Sequence, residues 1–163
     1  MRLVLIASLL VLAAPTSAFA QARLSPADEA AAFRAAGFHR AGKAWKNCQD
    51  GSDSASYSPG SVDTVRDIDG DGLPEAVLIE SGAMCYGMTG QSFWLVSKQQ
   101  SGTWKLITSE VGIPTFLPRT GSRGWPDIEI GGPGFCFPVH RWNGRAYAPN
   151  RFQYEGRPCR PRQ

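Results

Sequence analysis

Hydrophobic and polar positions follow a helical period in one stretch of the chain. Elsewhere, short apolar runs alternate with turn-forming residues in the manner of β-strands. The helix opens at Ser25-Pro26-Ala27-Asp28, which offers an N-cap serine, a proline at the first helical position and an acid near the capping-box position. Residues 28–36 are alanine-rich and Gly37 provides a stop. Ala30, Phe33 and either Ala36 or Gly37 are expected to face a core. Residues 38–45 read as a short strand or hairpin turning near Ala41-Gly42-Lys43. Residues 49–60 are polar and turn-forming, which predicts an exposed loop.

Further strands are predicted over 62–68 and 75–79, either side of an acidic turn, and over 92–98 and 103–108 around Gln99-Gln100-Ser101-Gly102. Residues 127–130 form another, and 135–142 and 145–147 flank Asn143-Gly144, a dipeptide suited to a type I′ hairpin turn. Residues 152–154 would be the last strand. A weak internal repeat runs through this region. Gly72-Leu73-Pro74-Glu75, a β run and Cys85 resemble Gly124-Trp125-Pro126-Asp127, a β run and Cys136, at an offset of about 51 residues. Two copies cannot close a propeller, which needs at least four blades. The expected fold is therefore mainly β (α+β): an antiparallel sheet or sandwich of two related β units, with one short N-terminal helix packed on it.

The first residues have the layout of an export signal: Arg2, an uncharged apolar run over 3–14, then Pro15-Thr16-Ser17 and the small-x-small site Ala18-Phe19-Ala20. The run falls short of the roughly 20 residues a membrane helix needs, and the site lacks the cysteine a lipid anchor would use. Cleavage after Ala20 leaves a single secreted domain, residues 21–163, in the periplasm or outside the cell, with no later transmembrane segment. The signal carries one of the 17 basic residues, so 16 remain against 14 acids, a net charge of +2. That gives no reason to expect nucleic acid. Charge is nonetheless uneven: Asp63, Asp67, Asp69, Asp71 and Glu75 gather in one place, and the tail is basic at Arg141, Arg145, Arg151, Arg157, Arg160 and Arg162.

Four cysteines, Cys48, Cys85, Cys136 and Cys159, argue for two disulfides in an exported chain, with three pairings open. Keeping partners within one half of the chain favours Cys48–Cys85 and Cys136–Cys159. No C-x-x-C is present to suggest redox or zinc chemistry.

The sharpest chemistry lies in Asp67-Ile68-Asp69-Gly70-Asp71-Gly72-Leu73-Pro74-Glu75, with carboxylates at positions 1, 3, 5 and 9. A hard cation such as Ca²⁺ takes six to eight oxygens, and a tightly curled loop offers them from alternate residues. Unneutralised, four such carboxylates repel one another. The bidentate glutamate of an EF-hand is missing, since position 12 is Leu78. The segment instead resembles the strand–loop–strand calcium motif of FG-GAP or VCBS repeats of integrin-like propellers, over about residues 65–82, with Glu75 in place of the usual final Asp. That resemblance implies Ca²⁺ as a structural cofactor, with Asp67, Asp69, Asp71 and Glu75 as side-chain ligands and Leu73 as a backbone ligand. The second copy has Arg119, Gly121 and Arg123 at the equivalent positions, so one site is implied rather than two.

No H-E-x-x-H or G-x-S-x-G occurs, and Gly131, Gly132 and Gly134 do not form a dinucleotide fingerprint. His39 and His140 are the only histidines. Trp94, Trp104, Trp125, Trp142, Tyr86 and Tyr147 either fill the core or, if exposed, stack on sugars or anchor a partner. Residues 131–139 with Tyr154-Glu155-Gly156 and Pro158-Cys159 resemble small secreted bacterial proteins of unassigned function. The expectation is a non-enzymatic periplasmic or secreted β module that binds a protein, glycan or envelope component. Two alternatives stay open: a metal-assisted hydrolase using the same carboxylates, and a secreted inhibitor presenting residues 112–119 as a protruding loop.

Overall fold

Helix α1 (Pro26–Ala35) starts where Ser25 accepts a hydrogen bond from the Asp28 N–H, and it stops before Gly37, which adopts φ 84°. The computed structural model describes residues 23–49 and 52–161; the expected export signal, residues 1–20, lies outside the described residues. The inward face of α1 carries Ala32, Phe33 and, just past its end, Ala36. Ala30 is only partly buried. Phe33 and Ala36 take the places expected of them, and Ala32 replaces Ala30 as the most deeply covered alanine.

Among the described residues eleven strands follow, in two antiparallel sheets. The first contains β1 (His39–Ala41), β2 (Ala44–Lys46), β3 (Ser58–Arg66), β4 (Glu75–Ser81), β5 (Gln91–Lys98) and β6 (Trp104–Val111). The second contains β7 (Ile113–Thr120), β8 (Pro126–Gly131), β9 (Phe137–Trp142), β10 (Tyr147–Tyr154) and β11 (Arg157–Pro158). In both, strands adjacent in sequence are adjacent in the sheet. Short turns permit antiparallel neighbours and rule out long crossovers.

The layers run helix, sheet, sheet. One core cluster lies between α1 and the first sheet, with Phe33, Phe38, Trp45, Leu78 and Trp94 among its members. The second joins the sheets, with Val77, Phe93 and Leu95 meeting Trp125, Ile128, Ile130 and Trp142. Successive strand residues point to opposite faces, so β4 and β5 are buried on both sides. This explains why Ala76-Val77-Leu78 and Phe93-Trp94-Leu95-Val96 are unbroken apolar runs. Removing each of these large side chains from water contributes roughly 1.5–3 kcal/mol.

The mainly β architecture and packed N-terminal helix agree with the sequence reading, and the two units correspond to β3–β6 and β7–β10. Pro74-Glu75 leads into β4, and Pro126-Asp127 opens β8. The disulfides are Cys48–Cys85 and Cys136–Cys159, with Cα separations of 5.9 and 5.8 Å. They close loops of 37 and 23 residues, which the chain-entropy picture converts to roughly 3–4 kcal/mol each. Bonds of this kind persist in oxidising compartments outside the cytoplasm. No helix among the described residues is long and apolar enough to cross a membrane.

Several local expectations are corrected. Residues 58–60 belong to β3, because its early part pairs with β4 and meets Trp45 across from Gly60. Residues 113–119 are not a protruding inhibitor loop: they form most of β7, hydrogen-bonded to β8. A short helix, α2 (Ala83–Tyr86), unforeseen in the sequence, occupies the β4–β5 connection and carries Cys85. The β9–β10 hairpin closes at Trp142 and Tyr147. Its turn is built by Asn143 Oδ1, which accepts from the N–H groups of Arg145 and Ala146. Asn143 does not take positive φ, so the type I′ geometry is not formed.

Candidate metal centre

The β3–β4 turn is curled by its own carboxylates. Asp67 accepts from the N–H of Gly70 at 2.7 Å and of Gly72 at 3.0 Å. Asp69 accepts from the Asp71 N–H at 3.1 Å, and Asp71 from the Leu73 N–H at 2.8 Å. Gly70 and Gly72, at φ 81° and 87°, supply the left-handed steps this winding requires. One carboxylate oxygen from each of Asp67, Asp69 and Asp71 lies within 4.8 Å of the others, a group able to hold a metal ion. Asp69 and Asp71 each use a single oxygen in these bonds and keep the second.

Glu75 is placed differently from the other expected ligands. It is not part of that trio, and its side chain is fully buried at the start of β4. Its Oε2 accepts from the Ile68 N–H at 2.7 Å, while Oε1 has no hydrogen-bond partner. Burial pushes this carboxyl up to about 7; the Ile68 bond and then the neighbouring Ser97 hydroxyl oppose the shift, and the charges of Asp69 and Asp71 reinforce it. Burial also raises Asp69, with Asp71 and Asp67 adding repulsion against its bond from the Asp71 N–H. A cation beside Asp69 and Glu75 would favour their charged forms and oppose these shifts. Leu73 contributes its N–H to Asp71.

The second unit buttresses this turn. The segment 122–124 is a single 3₁₀ turn in which Arg123 adopts φ 57°, and Gly124 packs on Asp69. Beside it opens a pocket of about 430 Å³ lined by Asp69, Asp71, residues of the β5–β6 hairpin and the turns before β8 and β10. Neither histidine lines it. His39 is exposed in β1, and His140 Nδ1 lies 3.7 Å from Glu110 Oε1.

Two buried carboxylates escaped the sequence reading. Glu80, on β4, accepts from the N–H groups of Asn47 and Cys48 and from the hydroxyls of Tyr57 and Tyr86. Burial and then the Glu80 contact raise both tyrosine hydroxyls. Glu80 thus ties β4 to the segment bearing Cys48 and to the helix bearing Cys85. Asp127, on β8, receives two bonds from Arg141 at 2.8 and 2.9 Å and one from Arg151 at 2.5 Å. Burial alone would raise its carboxyl, yet the two guanidinium groups hold it below the usual range. The available signal was an acid within an otherwise apolar strand, as in Val77-Leu78-Ile79-Glu80.

The aromatic residues resolve largely as core. Trp94, Trp104, Trp125 and Trp142 are all buried, and Trp125, Trp142 and Tyr147 form one ring cluster. Tyr86 packs edge-on against Trp94. Of the exposed large apolar residues among those described, Met84, Met88 and Phe135 are the most accessible, at 74, 91 and 76%. They sit on two loops that approach where Gly132 faces Thr89.

Comparison of the chain with protein-family models, with curated proteins and with solved structures finds no match.

Proposed function

We propose that this chain is an exported, non-catalytic β module, periplasmic or secreted, whose Asp67–Glu75 turn holds one structural Ca²⁺ and whose surface binds a protein or envelope component. Two observations carry the metal reading: three aspartates share one small volume, and Oε1 of Glu75, at the end of the same turn, is buried without a hydrogen-bond partner. All-oxygen donors on a glycine-wound turn suit a hard cation, and the resemblance to FG-GAP or VCBS loops favours calcium. Asp67, Asp69 and Asp71 would supply the outer oxygens, Glu75 the inner one and Leu73 its carbonyl. The ion's contribution is to neutralise the gathered charge and fix the β3–β4 turn.

Binding rather than catalysis is favoured because neither His39 nor His140 lines the pocket beside the turn. The exposed Met84, Met88 and Phe135, on loops stapled by Cys85 and Cys136, give a partner an apolar contact set of the kind found in interface cores. Titration calorimetry with CaCl₂ tests the metal, and a pull-down from envelope extract with and without chelator tests the partner. Absence of binding heat together with a melting temperature indifferent to EDTA would remove the calcium reading. Recovery of no partner under either condition would remove the binding reading.

A further inference from the structure

The pocket beside the acidic turn is lined by side chains of both signs: Asp69 and Asp71, together with Lys105, Arg123 and Arg145 from three separate segments. None of these three cations forms an ion pair among the described residues. Lys105 is placed by β6, where it pairs with Ser97 of β5, which in turn pairs with Glu75 of β4. Arg145 is carried by the hairpin turn that Asn143 builds. Arg123 is held at φ 57°, a region that side-chain-bearing residues seldom occupy and that persists where surrounding structure imposes it. Trp142 also lines the pocket, and its indole N–H is buried without an acceptor.

We propose that this pocket, which Lys105, Arg123 and Arg145 line together with Ser97 and Gln99, binds a uronic-acid unit, the carboxylated sugar of an acidic glycan. Guanidinium and ammonium groups take a carboxylate through charge-assisted hydrogen bonds. Ser97 and Gln99 line the same pocket and offer neutral partners for sugar hydroxyls. An inorganic anion satisfies the cations and leaves these groups unused. A neutral sugar satisfies these groups and leaves three cations without a partner. A sugar acid meets both, and the volume of about 430 Å³ falls in the range of small-ligand pockets. The inference deepens the binding reading above by naming a ligand for one site, and it does not rest on calcium.

The test is an NMR titration of the purified ¹⁵N-labelled protein with sodium glucuronate, glucose and sodium sulfate at matched ionic strength. Glucuronate is expected to shift the Trp142 indole N–H and the amides of residues 123–124 and 144–145, saturating in a roughly millimolar range. Glucose and sulfate should bind at least about tenfold more weakly. Arg123→Gly relieves the left-handed backbone, so its melting temperature should hold or rise while glucuronate affinity falls at least about fivefold. Silence of the Trp142 signal, equal responses to glucuronate and sulfate, or full affinity in Arg123→Gly would each overturn the proposal. Because these signals report this pocket, the outcome is separate from both the calcium calorimetry and the pull-down.

Discussion

Gly124 and Asp69 meet backbone to backbone: a Cβ on Gly124 would lie 2.2 Å from the Asp69 carbonyl oxygen, well inside contact distance. The turn that opens the second β unit is thereby pressed onto the acidic turn of the first, and the residue making the contact sits at φ 81°. Gly124→Ala adds both a clash and a left-handed alanine. It should destabilise the protein by roughly 2–4 kcal/mol and blunt its stabilisation by calcium. Thermal unfolding with and without CaCl₂ measures both effects, and wild-type behaviour would show that the turns are not coupled.

Calcium itself should act by linkage. With Kd about 10⁻⁴ M and free Ca²⁺ near 1 mM, stabilisation is about 1.4 kcal/mol, a rise of roughly 3–6 °C in melting temperature. EDTA should reverse it and Asp67→Asn should abolish it. Glu75→Gln should abolish it too while raising the stability of the metal-free protein, since it removes a buried charge whose Oε1 has no partner. Scanning calorimetry of the three proteins decides between these outcomes.

Asp127 anchors the second sheet through Arg141 and Arg151. Asp127→Asn leaves two guanidinium groups without their counter-charge. Because both arginines are partly exposed and can rehydrate, the loss should be about 2–4 kcal/mol, below the full cost of a stranded buried ion. Urea denaturation provides the number.

The same carboxylate sets an acid limit. Its folded pKa lies below the ordinary 3.8, so the folded form binds the proton less tightly than the unfolded chain. Its contribution is therefore complete above that value and is lost as pH falls below it. Asp28 acts in the same direction, held at about 2 first by its bond from Lys98 and then by that from the Trp104 indole. Tryptophan fluorescence followed through pH 4 to 2 should show unfolding, and Asp127→Asn should weaken that acid sensitivity while the share set by Asp28 remains.

Glu80 accepts four hydrogen bonds and donates none, so Glu80→Gln turns an N–H₂ toward groups that are themselves donors. A loss of roughly 2–3 kcal/mol is expected. Easier reduction of Cys48–Cys85 should accompany it, because Glu80 holds the Cys48 N–H in place. Unfolding curves and the rate of thiol exposure under mild reductant check the two parts.

Local chemistry made much of this molecule legible in one dimension. Ser25, Pro26 and Gly37 bound the helix through capping and φ preferences that act within a few residues. Apolar runs broken by glycine and polar turns located most strands, because turn chemistry acts within a few residues and a strand buried on both faces reads as a continuous apolar run. The spacing of Asp67, Asp69 and Asp71 marked the acidic turn for the same reason: their carboxylates bond to N–H groups two to five positions away.

Only the tertiary structure decided what those pieces meet. Residues 113–119 became a strand because β8 offered them a partner, something they do not announce by themselves. Glu75 and Asp127 occupy matching places in the two units, yet one keeps an unpaired oxygen and the other is clasped by arginines 14 and 24 positions further on. The pocket of Lys105, Arg123 and Arg145 exists because two sheets stack with their turns at one end. Such contacts depend on closing long loops, and their pairing is set by how whole faces pack rather than by any neighbouring residue.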